Sequence, residues 1–169
     1  MPVQRLNHAV LYVRDVERST AFYRDVLGFR AKMEMPGAVF LQAEGSTNDH
    51  DLGLFQIGAG AGPSTAGRST VGLYHLAWEV DTLAELSRIR DALLLAGALV
   101  GASDHGTTKA LYAQDPDGIE FEVSWLLPAD LITPEVVAAS RAIAPLDLER
   151  EIGRYGAQTR GGVGVSTPV

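Results

Sequence analysis

Cysteine is absent from this chain of 169 residues, which excludes disulfide bonds and thiolate metal sites. Long apolar runs are also missing, since none approaches the roughly 20 residues that a membrane-spanning helix needs. Residues 1–8 lack the apolar core of a signal peptide and lead directly into a strand pattern. We therefore expect a cytoplasmic protein that has no membrane partner.

Basic residues are too few and too scattered to suggest a nucleic-acid partner. The chain has 14 Lys and Arg against 21 Asp and Glu, a formal net charge of −7, and no local cluster of basic residues. Such a cluster is the usual electrostatic signature of nucleic-acid binding. Apolar residues make up 46% of the chain, which is ordinary for a globular protein. The composition thus favours a protein that acts on a small molecule.

One pattern of elements occurs twice along the chain. Residues 6–13 and 72–80 both read as strands, and in each a histidine (His8 or His75) is followed five positions later by a valine. Each strand precedes a helical pattern that ends at a glycine. These helices are predicted at residues 15–27 and 82–96. Further strands are predicted at residues 30–35, 38–43 and 52–57 in the first copy, and at 99–103, 110–114 and 119–125 in the second.

The repeat predicts an α+β protein of two tandem βαβββ modules, residues 1–62 and 63–128. Residues 58–69, rich in Gly, Ala, Ser and Thr, read as a flexible linker between them. Each module is too small to bury its sheet alone, so the two are expected to pack into one unit.

Residues 129–169 have no counterpart in either copy. Helices are predicted at residues 134–144 and 146–154, with a break at Pro145, and the Gly-rich residues 161–169 are predicted to be disordered. We interpret this segment as a C-terminal helical arm for packing or dimer contact rather than for catalysis. With such an arm as a contact surface, we expect the protein to form a homo-oligomer, either a dimer or a larger assembly.

The last strand of the second module carries two carboxylates. After the turn Asp-Pro-Asp-Gly at residues 115–118, strand alternation places Glu120 and Glu122 on one face. The opposite face is apolar and consists of Phe121, Val123 and Trp125. Carboxylates on so apolar a strand must face either solvent or a cation.

The four histidines of the chain suggest which cation that is. His8 and His75 hold the same place in the repeat, while His50 and His105 lie in predicted loops. Any one of them could be a hydrogen-bonded structural histidine. Together with the acidic strand, however, His8 and His75 predict a site of two imidazoles and one carboxylate, the usual ligand set of non-haem Fe(II) oxygenases. Periodicity alone does not choose between Glu120 and Glu122.

The two modules, over residues 5–125, resemble the vicinal oxygen chelate superfamily, which includes glyoxalases, bleomycin-resistance proteins and extradiol dioxygenases. The resemblance implies that the modules form one U-shaped mixed sheet around a metal site. It also implies that the metal ligands are His8, His75 and Glu122, since the family register selects Glu122 over Glu120.

Within the superfamily the chain looks most like type I extradiol dioxygenases, which cleave catechols. That resemblance implies catalytic roles for His50, beside bound O₂, and for His105 and Tyr112, which would bind substrate oxygens. It implies Fe(II) as cofactor, with Mn(II) as the second choice, and an aromatic small molecule and O₂ as partners. From the residues alone, His50 is equally well explained as a solvated loop residue and Tyr112 as an ordinary strand aromatic.

Three alternatives compete with a dioxygenase. A glyoxalase-type isomerase or lyase, with another divalent metal, would need a carboxylate or amide ligand in the first module, but the position matching Glu122 falls near Gly53 and Gln56 is out of register. A metal-free binder like bleomycin-resistance proteins could use Tyr74, Trp78 and Phe55 as aromatic walls. That binder would leave the His, His and Glu set unexplained. A fosfomycin-type transferase needs basic residues that this acidic chain does not suggest.

Overall fold

The computed structural model describes residues 2–3, 5–64, 66, 69–162 and 164–165. The chain divides into two compact units. One comprises residues 1–65 together with the turn Asp115–Gly118, and the other comprises residues 66–114 and 119–169. The predicted linker lies around this division, and its residues 65, 67 and 68 are outside the described residues. The module boundaries after residues 62 and 128 stay predictions.

The first unit contains the first βαβββ module. Its strands pair in the order β1-β4-β3-β2, with β1 parallel to β4 and the other neighbours antiparallel. The elements are β1 (Ala9–Val13), α1 (Val16–Leu27), β2 (Arg30–Met35), β3 (Ala38–Gln42) and β4 (Leu52–Gln56).

Local sequence signals set the ends of α1, and its apolar stripe covers the sheet. The Asp15 side chain accepts a hydrogen bond from the Arg18 backbone N–H, and Gly28 ends the helix with a φ of 76° that favours glycine. The helix buries Tyr23 and Val26. The core of this unit also includes Leu11, Val13, Leu41, Leu52 and Leu54.

The second unit repeats the module and adds a strand. The order is β5-β8-β7-β6-β9, with β5 parallel to β8 and the other neighbours antiparallel. Its first five elements are β5 (Leu76–Val80), α2 (Leu83–Leu95), β6 (Leu99–Asp104), β7 (Thr108–Gln114) and β8 (Glu120–Leu126). The α+β class and the two βαβββ modules are therefore confirmed, with one sheet in each module.

The C-terminal segment is partly helical and partly extended. It contains a 3₁₀ turn (Ala129–Leu131), α3 (Pro134–Ala139), β9 (Ala144–Pro145) and α4 (Leu148–Tyr155). The helix predicted over residues 134–144 ends at Ala139, and β9 instead pairs with Ser103 and Asp104 at the edge of the sheet. An edge position suits Pro145, since proline has no N–H to donate to a further strand.

The end of the chain is hydrogen-bonded where it is described. The Gly161 N–H donates to the Asp81 carbonyl (2.7 Å), and the Gly162 N–H donates to the Leu126 carbonyl (3.0 Å). Residues 163 and 166–169 of the tail predicted to be disordered lie outside the described residues. Among the described residues, no helix has the length and apolar character to cross a membrane.

Candidate active site

His75 and Glu122 meet at one end of the parallel pair β5 and β8. Ala77 lies opposite Glu122 in the register, so His75, two residues earlier, shares the face on which the Glu122 side chain lies. The His75 Nε2 atom lies 3.2 Å from the Glu122 Oε2 atom. The opposite face of β8 buries Phe121, Val123 and Trp125, as predicted. An imidazole just before β5 and a carboxylate on β8 are thus side by side.

The other ring nitrogen of His75 is an orphaned polar atom. His75 Nδ1 is buried and has no hydrogen-bond partner among the described residues. The ring lies 4.6 Å from the Tyr74 ring and 6.0 Å from the Tyr112 ring, measured between centroids. A buried polar atom without a partner costs free energy, which marks this histidine as a functional candidate. A nitrogen and a carboxylate oxygen directed at one another are also donors that a divalent metal accepts.

Tyr112 and His105 extend this group of polar side chains. Tyr112 lies directly across from Glu122 in the antiparallel register of β7 and β8, so both side chains project from the same face. Its hydroxyl lies 3.0 Å from His105 Nε2. The structure therefore brings together His75, Glu122, Tyr112 and His105, which we name the polar row.

The pKa of the Tyr112 phenol is raised from its ordinary value. Burial is the main cause, followed by the negative charge of Glu122, by Tyr74 and by the negative charge of Glu120. Each of these disfavours the phenolate. Tyr112 thus remains protonated at neutral pH and has an O–H to donate. Tyr74, predicted from the sequence only as an aromatic wall, is thus a ring neighbour of His75 and one cause of the raised Tyr112 pKa, and its position next to His75 in the sequence was the available signal.

His8 and His50 are neighbours in the first unit. Their ring centroids are 4.5 Å apart, and the His50 ring packs edge-on against Phe40 at 4.9 Å. His8 Nδ1 lies 2.7 Å from the Asn7 side-chain oxygen. His50 Nδ1 lies 3.1 Å from the Asp49 carboxylate, and this hydrogen bond is the main cause of the lowered pKa of Asp49. His8 and His50, both predicted to be functional residues, are thus adjacent.

The predicted site residues form one group in each unit, His8 with His50 in the first and the polar row in the second. Within residues 2–3, 5–64, 66, 69–162 and 164–165, no group of three or more His, Asp or Glu side chains is arranged to hold a single metal ion. The pair of His75 and Glu122 fits part of a metal site by its donor atoms. The full set of His8, His75 and Glu122 stays a prediction.

The first module has no carboxylate at the position of Glu122. Gly53 pairs with Val10 in the parallel register of β1 and β4, just as Glu122 pairs with Ala77 in the second module. This agrees with the alignment expected from the repeat. Gln56 instead uses its side-chain oxygen to accept a hydrogen bond from the Val16 backbone N–H at the start of α1. Gly53 has no side chain to donate to a metal, and the Gln56 oxygen is already used within the first unit.

Residues 5–123 match the model of the Glyoxalase/Bleomycin resistance protein/Dioxygenase superfamily. The chain belongs to this superfamily. It is 32% identical over 118 residues to "Catechol-2,3-dioxygenase" of Bacillus subtilis (strain 168), which covers 70% of this chain and 40% of the relative. It is also 33% identical over 137 residues to "Biphenyl-2,3-diol 1,2-dioxygenase 3" of Rhodococcus globerulus, which covers 78% of this chain and 66% of the relative.

The match covers less than two thirds of either dioxygenase. A solved structure of a glyoxylase/bleomycin resistance protein/dioxygenase domain from Frankia sp. EAN1pec has the same fold as this chain, with a TM-score of 0.58 and 21% sequence identity. That comparison covers 73% of this chain and 92% of the Frankia domain. A sequence identity of 21% shows a shared fold and does not indicate a shared reaction.

Proposed function

We propose that this protein is a metal-dependent extradiol dioxygenase that cleaves the ring of a catechol-like aromatic. The observation that carries the proposal is the polar row, in which an imidazole and carboxylate pair lies beside a protonated phenol hydrogen-bonded to a second imidazole. The similarity to two proteins named as dioxygenases of vicinal diols supports it. A cytoplasmic location goes with the proposal.

His75 and Glu122, with His8, are the residues that we propose hold the metal. Fe(II) is the first choice and Mn(II) the second, since both accept imidazole and carboxylate ligands. When bound, such a metal supplies charge compensation for a catecholate and electron transfer between the aromatic and O₂. The glycine at position 53 agrees with a site that keeps positions open for substrates.

Tyr112 and His105 would handle the oxygen and the protons of the substrate. The Tyr112 phenol has an O–H that can donate to a developing oxyanion. A proton on His105 Nε2 would donate to the Tyr112 oxygen and leave the phenol hydrogen free for the substrate. His50 is the candidate acid or base on the first unit, since histidine is the side chain that most often transfers protons in enzymes.

The protein is first loaded with Fe(II) under anaerobic conditions. The test then measures its uptake of O₂ when substrate and O₂ are added. Catechol and biphenyl-2,3-diol are the substrates, and hydroquinone is the control because its two hydroxyls are not adjacent. We expect uptake with the vicinal diols only and a product with the mass of substrate plus one O₂. Absence of uptake at full iron loading would refute the proposal.

A further inference from the structure

A buried ionic cluster joins the C-terminal segment to the hairpin that carries His105. Lys109, on β7, is only 1% exposed, and Glu151, on α4, is fully buried. Lys109 Nζ lies 2.5 Å from Asp104 Oδ1 and 3.0 Å from Glu151 Oε2, the second contact being an ion pair outside hydrogen-bonding geometry. Arg150 Nε donates to Glu151 Oε1 at 2.9 Å. Two cations thus face two carboxylates.

Burial of these charges is costly unless each is paired. Lys109 lies 5.8 Å from the centre of the Tyr155 ring, also on α4, which adds a cation–π contact. Removing Glu151 alone would leave the buried Lys109 ammonium with Asp104 as its remaining carboxylate partner in this cluster. The cluster therefore ties the position of Lys109 to the presence of α4.

Two members of the cluster hold the residue that follows His105. Asp104 Oδ1 accepts a hydrogen bond from the Gly106 N–H (2.8 Å), and Lys109 Nζ donates to the Gly106 carbonyl (3.1 Å). The His105 backbone N–H donates to the Thr108 carbonyl (2.9 Å) and the His105 carbonyl accepts from the Thr107 N–H (2.9 Å), while the ring Nε2 lies 3.0 Å from the Tyr112 hydroxyl. The polar groups on both sides of Gly106 therefore set the loop from which the His105 ring projects.

The C-terminal segment also packs directly on this loop. A Cβ atom added to Gly106, whose φ is +75°, would lie 2.7 Å from the Ser140 nitrogen and 2.8 Å from the Val136 carbonyl oxygen. Strand β9 pairs with Ser103 and Asp104, just before the loop. Helix α3 and its C-terminal cap thus lie against Gly106, β9 pairs with the strand before the turn, and α4 contacts Lys109 in the strand after it.

We propose that the C-terminal segment, residues 134–155, is a positioning element for His105, and that Glu151 acts through Lys109. The segment holds the hairpin turn so that His105 Nε2 stays in contact with the Tyr112 hydroxyl. Its consequence for turnover rests on the proposed function, whereas the effect on His105 itself does not. This assigns the segment a role beyond packing or dimer contact.

The test compares Glu151→Gln with Glu149→Gln in the full chain. Glu149 lies on the same helix and pairs with Arg90 at 2.7 Å on the surface, away from the hairpin, so it is a matched control. The chain has four histidines, so isotope-labelled imidazole signals resolve each ring by NMR. In E151Q we expect the His105 signals to shift or broaden while those of His8 and His50 stay unchanged. We also expect the Gly106 amide hydrogen to exchange at least about 10-fold faster.

A role in stability alone would predict a different result. It would lower the unfolding midpoint of E151Q and speed the exchange of the Gly106 amide no more than that of core amides such as Leu111, but leave the His105 signals unchanged, and that outcome would overturn the proposal. Equal changes in E149Q would overturn it as well. If wild-type protein fails to take up O₂ while E151Q still perturbs His105, the proposed function fails and the positioning role stands.

A second variant covers the case in which E151Q does not fold. The double substitution Lys109→Met with Glu151→Leu removes both buried charges and replaces them by apolar groups, a change that proteins often tolerate. The Gly106 carbonyl then has no Lys109 donor. We expect the His105 signals to shift in this variant too, and wild-type signals in it would contradict the proposal.

Discussion

The His75 Nε2 atom lies 3.2 Å from the Glu122 Oε2 atom, on one face of two parallel strands. This contact follows from the register, since Ala77 is the partner of Glu122 and His75 precedes it by two residues on the same face. The buried Nδ1 of His75 has no partner among the described residues. An imidazole just before one strand and a carboxylate on its neighbour, placed in this way, are suited to a shared function rather than to packing.

Tyr112→Phe should reduce turnover by about 10²-fold, the usual effect of removing one donor to a developing oxyanion. The metal content should not change, because the phenol is not a proposed ligand. In the imidazole spectrum, the His105 signals should shift, since the 3.0 Å contact with Tyr112 is lost. Wild-type turnover in this variant would remove Tyr112 from the mechanism.

His50→Ala should retain the metal and lower turnover by about 10²–10⁴-fold, the range for loss of a general acid or base. The matched control is Asp49→Asn, which removes the exposed carboxylate partner of His50 but leaves the imidazole. We expect the control to stay within about threefold of wild type, since exposed ion pairs contribute little. Steady-state O₂ uptake measures both, and equal rates in H50A and wild type would exclude His50.

Gly53→Glu introduces a carboxylate at the position that corresponds to Glu122. A Cβ at this position lies 3.5 Å from side-chain atoms of Phe40 and Phe55, which is ordinary contact. The control Gly53→Ala should therefore fold and keep its activity. We expect G53E to bind metal but to lose at least about 10-fold in O₂ uptake, because the new ligand occupies a position that substrate needs. Undiminished O₂ uptake in G53E would contradict the prediction that substrate needs this ligand position.

Tyr23→Phe tests a buried hydrogen bond that supports the first unit. The Tyr23 hydroxyl donates to Asp115 Oδ2 at 3.2 Å, and burial, followed by the charge of Asp115, raises the Tyr23 pKa well above its ordinary value. Loss of this bond to a charged acceptor should reduce the free energy of unfolding by about 1–3 kcal/mol at neutral pH. Urea denaturation measures it, with the exposed Tyr12→Phe as a control that should stay within about 0.5 kcal/mol.

The same tyrosine predicts the sign of a pH dependence. Because the folded-state pKa of Tyr23 is raised above the unfolded value of about 10, its contribution to stability is fully present below that pH and is lost as the pH rises toward the folded-state pKa. Y23F should therefore lose less stability than wild type between neutral pH and about pH 11. An identical alkaline loss in the two proteins would contradict the raised pKa.

Local patterns were sufficient to predict the modules and the shared face of His75 and Glu122. Strand alternation, with its period of two residues, placed Glu122 on the face opposite Phe121. The repeat placed His75 near the first strand of the second module, and it lies just before β5. The match of Gly53 to Glu122 followed from the same repeat. Such features need only neighbouring residues and a duplicated order of elements.

Contacts between distant parts of the chain were not predictable in this way. Lys109 and Glu151 are 42 residues apart, and no periodicity indicates that α4 reaches β7. Ala144 was predicted as the end of a helix before a break at Pro145, but both residues form a strand, because its pairing with Ser103 and Asp104 is a long-range contact that overrides local propensity. Likewise, Arg14 donates to the turn residue Asp117 at 2.7 Å, so a turn in the second repeat belongs to the first unit.

The central claim is that a metal is held by His8, His75 and Glu122, and metal content per chain tests it most directly. Protein reconstituted with Fe(II) and freed of excess metal should retain about one iron per chain. His8→Ala, His75→Ala and Glu122→Gln should each retain less than about a tenth of that, while Glu120→Gln, on the same strand face, should retain it fully. Full iron content in H75A or E122Q, or its loss in E120Q, would contradict the account.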